Sequence, residues 1–185
     1  MGNRHVPQSI FFVKGIGRHK DELASFEDAL RNAGIEKFNL VVTVSSIFPP
    51  KCRIISARKG LSLLEPGEIV HCVIARLASK ETNRLLAAAV GLAKPKDSKQ
   101  YGYLSEHHAF GQTGKIAGDY AEDLAASMLG TMLGIEVDPE KDWSERRKEY
   151  RSRGHILKSR HICQSAEVTS DGRWTTVIAV AMMVS

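Results

Sequence analysis

At 185 residues and 20.4 kDa, with 43% hydrophobic and 25% charged residues, the chain has the make-up of one ordinary globular domain. That composition excludes a disordered chain, a collagen-like repeat and a disulfide mini-protein, and the length suffices to bury a core without covalent staples. The net charge of +5 permits an anionic partner without selecting one, and it is local: Arg146, Arg147, Lys148, Arg151, Arg153 and Lys158 are set against a single acid, Glu149.

In chain order, residues 8–13 (QSIFFV) form a short apolar run closed by Gly15 and Gly17, which predicts a strand and then a tight turn. Asp21 is placed to cap a helix whose stripe is Leu23, Phe26, Leu30 and Ala33, with Gly34 stopping it. Residues 40–44 (LVVTV) read as a strand buried on both faces. The SSIFPP segment follows, where Pro49 and Pro50 forbid a central strand and call for an extended turn. A turn at Glu65-Pro66-Gly67 leads into a long strand over 68–78, and residues 84–93 (RLLAAAVGLA) suit helix and strand equally.

Residues 101–110 read as a strand with polar interruptions. The clearest helix spans 116–133, with the stripe Ala117, Tyr120, Ala121, Leu124, Met128 and Met132. Residues 139–153 are charged all round, as in a solvated helix or arm. The chain closes on a predicted hairpin, 162–168 and 175–184, joined by a turn at Ser170-Asp171-Gly172. Paired strands and few helices predict a single α+β domain with helices packed on an antiparallel sheet.

Cys52, Cys72 and Cys163 form an odd, widely spaced set without a CxxC, which reads as reduced and intracellular, with Cys72 a small core residue. The first fifteen residues hold no apolar signal-type run, and no apolar stretch reaches the ~18–20 residues a membrane span needs. A cytoplasmic protein is expected. Gly15-Ile16-Gly17-Arg18-His19-Lys20 lacks the third glycine of a dinucleotide fingerprint and the Lys-Ser/Thr of a phosphate loop, so a tight turn is its better account.

Neighbours on a strand point to opposite faces, so Glu106, His107 and His108 are poorly placed to share one metal ion, and no metal is expected. Glu106 follows Tyr101-Gly102-Tyr103-Leu104, an apolar and aromatic setting that can raise its pKa; an edge carboxylate in water is the bland alternative. The basic arm carries no nucleic-acid-reading motif, so nucleic acid is not an expected partner, and a solvated surface segment accounts for it. The distinctive feature is the pair Ser45-Ser46, at the end of an apolar strand and immediately before a proline-stiffened turn. Constraint of that kind hints at function, though paired hydroxyls are also common in turns.

NLVVTVSSIFPP (residues 39–50), with Gly34 and Ile35 before it and AAAVGLA and GYLSEHH after it, resembles the pyruvoyl-dependent arginine decarboxylases. The likeness runs over roughly residues 10–133 and the closing strands, leaving 139–160 as an apparent insertion. It implies an α+β sandwich assembled into homotrimers or their multiples, with active sites between subunits. It also implies self-cleavage between Ser45 and Ser46, giving chains 1–45 and 46–185. The Ser46 hydroxyl attacks the Ser45 carbonyl, an ester replaces the amide, and elimination and hydrolysis convert Ser46 into a pyruvoyl group.

On the same resemblance, that covalent cofactor decarboxylates L-arginine to agmatine through a Schiff base. Glu106 matches the proton donor, Glu27 or Asp28 the acid that grips the guanidinium, and Asn39 a partner in processing or binding, one residue further from the serine pair than the family pattern places it. Two other readings stand beside it: decarboxylation of a different amino acid, and a non-enzymatic basic protein that binds a nucleic acid or protein partner around an inert serine turn.

Overall fold

The computed structural model describes residues 6–43, 46–139, 143–144, 149–152 and 155–185 and, between 143 and 155, the side chain of Tyr150 alone. Eleven strands and three helices are present among them. In chain order they are β1 (Ser9–His19), α1 (Glu22–Ala33), β2 (Asn39–Val42), β3 (Ser46–Phe48), β4 (Arg53–Ile54), α2 (Ala57–Leu61), β5 (Ile69–Ser79), β6 (Leu85–Pro95), β7 (Gly102–Phe110), α3 (Gly114–Leu133), β8 (Trp143–Ser144), β9 (Glu149–Ser152), β10 (His155–Glu167) and β11 (Trp174–Val184).

The strands form two sheets, one in the order β2-β5-β11-β1-β4 and the other β3-β7-β6-β10-β9-β8. Alternation along each strand sorts its side chains between two layers. Ile10, Val73, Ala75, Val177, Ala179 and Ala181 of the first sheet meet Leu86, Val90, Leu92 and Leu104 of the second in a buried inter-sheet core. Phe11, Val13, Cys72, Ile178 and Val180 point the other way, onto α1. Ala87, Ala89 and Ala93 face α3 through Ala117, Ala121 and Ala125. The result is an α+β sandwich of four layers, helix–sheet–sheet–helix.

Small residues bring each helix onto its sheet. A Cβ on Gly15 would lie 2.1 Å from the Ala29 carbonyl oxygen, and one on Gly17 2.0 Å from that of Ser25. These glycines therefore do not end β1; the strand runs through them to His19, and the turn before α1 comes at Lys20-Asp21. The tight turn expected at 15–20 is not there. Helix α1 is capped as the sequence predicts: the Asp21 side chain accepts from the Ala24 N–H at 3.0 Å and Gly34 closes the helix at φ 76°. Its buried face, however, is Ser25, Ala29 and Ala33, and Leu23 is 71% exposed.

Other expectations are corrected by tertiary pairing. The run at 40–44, described as far as Thr43, is not a strand buried on both faces. β2 is an edge strand, parallel to β5, with Val41 and Val42 exposed. The SSIFPP segment is not wholly a turn, since Ser46–Phe48 adds a short edge strand to β7 before the prolines end it. The ambiguous run at 84–93 is strand β6. The closing pair is no hairpin: β10 pairs with β6 and β9, β11 pairs with β1 and β5, and residues 168–173 cross from one sheet to the other.

Helix α3 buries Ala117 and Ala121 as its pattern predicts, buries Leu129 outside that stripe, and exposes Tyr120 and Met132. Pro139, the first residue of the charged arm, is helical, and the other described residues of the arm are extended. These form β8 and β9 at the margin of the second sheet, and Tyr150 is buried there with its hydroxyl donating to Asp123 Oδ1 at 2.5 Å. Arg146, Arg147, Lys148 and Arg153 lie outside the described residues, as does the Arg151 side chain. Among the described residues no helix is long and apolar enough to cross a membrane.

Candidate active site

After β2 the chain leaves the edge of the first sheet and three residues later enters the second as β3. Thr43 is the last described residue before the crossing. Its N–H donates to the Cys72 carbonyl at 2.8 Å, extending the β2–β5 pairing by one bond. Ser46 is the first described residue after it, paired with Leu104 of β7 and buried. The two hydroxyls meet at the seam: Thr43 Oγ1 and Ser46 Oγ are 2.6 Å apart, and Thr43 Oγ1 also reaches the Cys72 carbonyl at 3.2 Å. Ser45 lies outside the described residues.

Glu106 shares this inter-sheet face. Residues two apart on a strand point the same way, and both Leu104 and Val90, the cross-strand partner of Glu106, belong to the inter-sheet core. Ser46 and Glu106 are thus diagonal neighbours on one face, a relation that spans about 7–8 Å. The described pairing of β3 with β7 reaches Ser46–Leu104, two residues from Glu106, which is itself partly buried. Burial raises its carboxyl pKa above the ordinary value, opposed by a bond from its own backbone N–H and by the charge of His108.

His107 points to the opposite face, where Nε2 pairs with Gln112 Oε1 at 3.1 Å and the ring packs against Tyr120. His108 returns to the face of Glu106, so Glu106, His107 and His108 divide between faces as strand alternation predicts. Among the described residues no three His, Cys, Asp or Glu side chains gather as a metal site would require.

The remaining sequence candidates lie elsewhere in the chain. Asn39 begins β2 at the sheet edge, and its Nδ2 donates to the Gly67 carbonyl at 2.6 Å, tying the strand to the turn before β5. Glu27 pairs with Arg31 at 3.2 Å and lines a shallow groove with Leu23, Phe26 and Leu30. Asp28 packs beside Gly17 of β1. Both acids are on α1, across the first sheet from the inter-sheet face that carries Ser46, so one chain does not bring them to the serine.

Sequence reasoning missed Thr43, because a threonine within an apolar strand run reads as ordinary β-branched filler. Only the sheet-to-sheet crossing reveals its bond to Ser46. It also missed a polar cluster on α3, where Glu122 bonds His161 and Ser159 of β10 beside the Asp123–Tyr150 pair.

A family model described as pyruvoyl-dependent arginine decarboxylase matches residues 9–185, which takes in both sheets and the seam with its serine. The chain belongs to the pyruvoyl-dependent arginine decarboxylase family. A protein of Chlorobium limicola named "Probable pyruvoyl-dependent arginine decarboxylase" is 59% identical over 178 residues, covering 96% of this chain and 97% of the relative. One of the same name from Chloroherpeton thalassium is 56% identical over 178 residues, with the same shares covered. "Pyruvoyl-dependent arginine decarboxylase 2" of Methanosarcina mazei is 53% identical over 180 residues, 97% of this chain and 98% of the relative. These alignments run nearly end to end, so the charged arm at 139–160 lies within the family match rather than standing outside it as an insertion.

Proposed function

We propose that this chain is a self-cleaving decarboxylase of L-arginine, releasing agmatine and carbon dioxide, with its cofactor made from Ser46. The observation that carries the reading is the buried Ser46 hydroxyl at the sheet seam, held by Thr43 and sharing a face with a carboxyl of raised pKa. A serine with a hydrogen-bonded hydroxyl, at the start of a strand and walled from bulk water, suits a pyruvoyl precursor. Cleavage before it gives chains 1–45 and 46–185. A pyruvoyl group formed there from Ser46 would supply a ketone electrophile for the substrate amine and a sink for the electron pair freed with carbon dioxide.

Glu106 then gives its proton to the substrate α-carbon, a task that needs a carboxyl still protonated near neutral pH. Its burial supports that role. Glu27 or Asp28 grips the guanidinium, and Asn39 holds the edge of β2 in register for processing or binding. Because α1 lies across the first sheet from Ser46, these acids reach a substrate at the serine only from another subunit, which supports a homotrimer with sites between subunits. The exposed Val41, Val42 and Ile69 at that sheet edge suit such an interface. A cytoplasmic setting accords with three free cysteines.

The test is a denaturing intact-mass spectrum of fresh protein, with an agmatine assay. Two pieces of about 5 and 15 kDa, the larger with a blocked N-terminus, and agmatine from arginine are expected. Ser46→Ala is expected to stay whole and inactive. A wild-type chain that stays whole after prolonged incubation overturns the reading. A cleaved chain that releases carbon dioxide from another amino acid but not from arginine overturns the substrate alone.

A further inference from the structure

The two hydroxyls at the seam have an assignable direction. A threonine hydroxyl has one hydrogen and two lone pairs, while a carbonyl oxygen can only accept. Thr43 Oγ1 lies 3.2 Å from the Cys72 carbonyl and 2.6 Å from Ser46 Oγ. With its hydrogen given to the carbonyl, Thr43 has only lone pairs to offer Ser46, so the Ser46 hydroxyl is the donor. The Thr43 backbone is held too, by its N–H bond to that same carbonyl.

From this chain of bonds we propose that Thr43 is a positioning residue for maturation. It fixes the Ser46 hydroxyl hydrogen on its own Oγ1 and leaves the lone pairs of Ser46 Oγ free to attack. The inference rests on the reading of Ser46 as the cleavage nucleophile. In that step a bond forms between Ser46 Oγ and the Ser45 carbonyl carbon while the Ser45–Ser46 carbon–nitrogen bond breaks. The hydroxyl hydrogen ends on the released nitrogen, so the step is an isomerisation that needs no further reactant. A hydroxyl free to rotate would present its hydrogen, rather than a lone pair, for part of the time. It could also bond its own backbone, as serine readily does. Thr43 removes those alternatives at the start of an edge strand three residues long, where pairing with β7 holds the Ser46 backbone but not the rotation of its hydroxyl.

The experiment compares Thr43→Val, close in shape but lacking the hydroxyl, with Thr43→Ser, which keeps it. The readout is the fraction of cleaved chain against time by intact mass, alongside thermal melting. Thr43→Val should lengthen the cleavage half-time about tenfold or more, the effect of losing one good hydrogen bond from the reacting arrangement. Thr43→Ser should stay within about threefold of wild type, a rescue that loss of packing alone does not produce.

Should Thr43→Val fail to fold, Thr43→Cys replaces it, since a thiol bonds poorly at nearly the same size and should also slow cleavage. Cleavage of Thr43→Val at the wild-type rate, or Thr43→Ser as slow as Thr43→Val, overturns the assignment while leaving Ser46 in place. A wild-type chain that never cleaves, or a Ser46→Ala chain that does, overturns the reading of Ser46 and this inference with it.

Discussion

Gly91→Ala is a test of how hard α3 is pressed onto the second sheet. The added methyl would lie 2.1 Å from the Ala121 carbonyl oxygen, 2.4 Å from its carbon and 2.8 Å from the Glu122 nitrogen. All three are helix backbone, so no side chain can swing aside. Real Cβ atoms essentially never approach within 3.0 Å, so α3 must move out by about 0.9 Å. Gly91 is the cross-strand partner of Ser105, whose buried Oγ donates to that same Ala121 carbonyl at 2.6 Å. The displacement therefore also stretches a buried hydrogen bond next to Glu106.

Overpacking costs about 1–3 kcal/mol and the weakened bond about 1 kcal/mol, for a total of roughly 2–4 kcal/mol. In a chain of this length that corresponds to a fall in Tm of roughly 4–16 °C. The assay is thermal unfolding followed by circular dichroism at one fixed protein concentration. Ser105→Ala alone should lose only about 2–4 °C. A Gly91→Ala protein melting within about 1 °C of wild type would refute the close approach. So would one no less stable than Ser105→Ala.

Glu106→Gln should leave self-cleavage intact and lower kcat by about 10²–10⁴-fold, because the acid is needed only after carbon dioxide departs; unchanged kcat would remove Glu106 from the reaction. The raised pKa of Glu106 has a signed consequence for stability. Folding favours its protonated form, so the contribution is complete below the unfolded pKa and is lost as pH rises through the folded one. Glutamine imitates the protonated state, so Tm of Glu106→Gln should gain on wild type as pH climbs through that range; a constant difference at every pH contradicts this. Tyr150→Phe should lower Tm by about 2–4 °C by deleting the hydroxyl that bonds the half-buried Asp123. The Asp123 pKa, already raised by burial, should rise further without that donor, as NMR titration would show.

Local signals in the sequence were reliable where one residue decides. Asp21 and Gly34 bound α1 because a cap needs only a side chain and a left-handed backbone position at the right spacing. The raised pKa of Glu106 was legible as one of two readings, from the apolar and aromatic run before it, and strand alternation in β7 sets it on the face of Leu104. What could not be read was which strand each strand meets. β10 and β11 look like a hairpin because they are consecutive, yet each is an interior strand of a different sheet, paired on both sides.

Gly15 and Gly17 look like turn residues, whereas here a missing side chain serves a helix packed from above. The run at 84–93 stayed ambiguous because alanine's helical preference is weak against burial on both faces. The family was legible in the serine pair and the motifs around it. Thr43 was not, since its significance lies in a gap between sheets rather than in any spacing.

The passage of the chain from one sheet to the other at residues 43–46 carries a consequence for how a matured molecule comes apart. Once cut before Ser46, the first fragment would own β1, α1 and β2 but no sheet of its own. β1 lies between β11 and β4, hydrogen-bonded to β11 along all eleven residues, and β2 lies against β5. The fragment would remain as an inserted strand does, held by the ladder and by α1. Unfolding would then release two chains, and reassembly would become a bimolecular search whose rate depends on concentration. The uncut precursor folds with those ends tethered, so a melted and cooled mature enzyme should recover far less completely than its precursor, and more so on dilution.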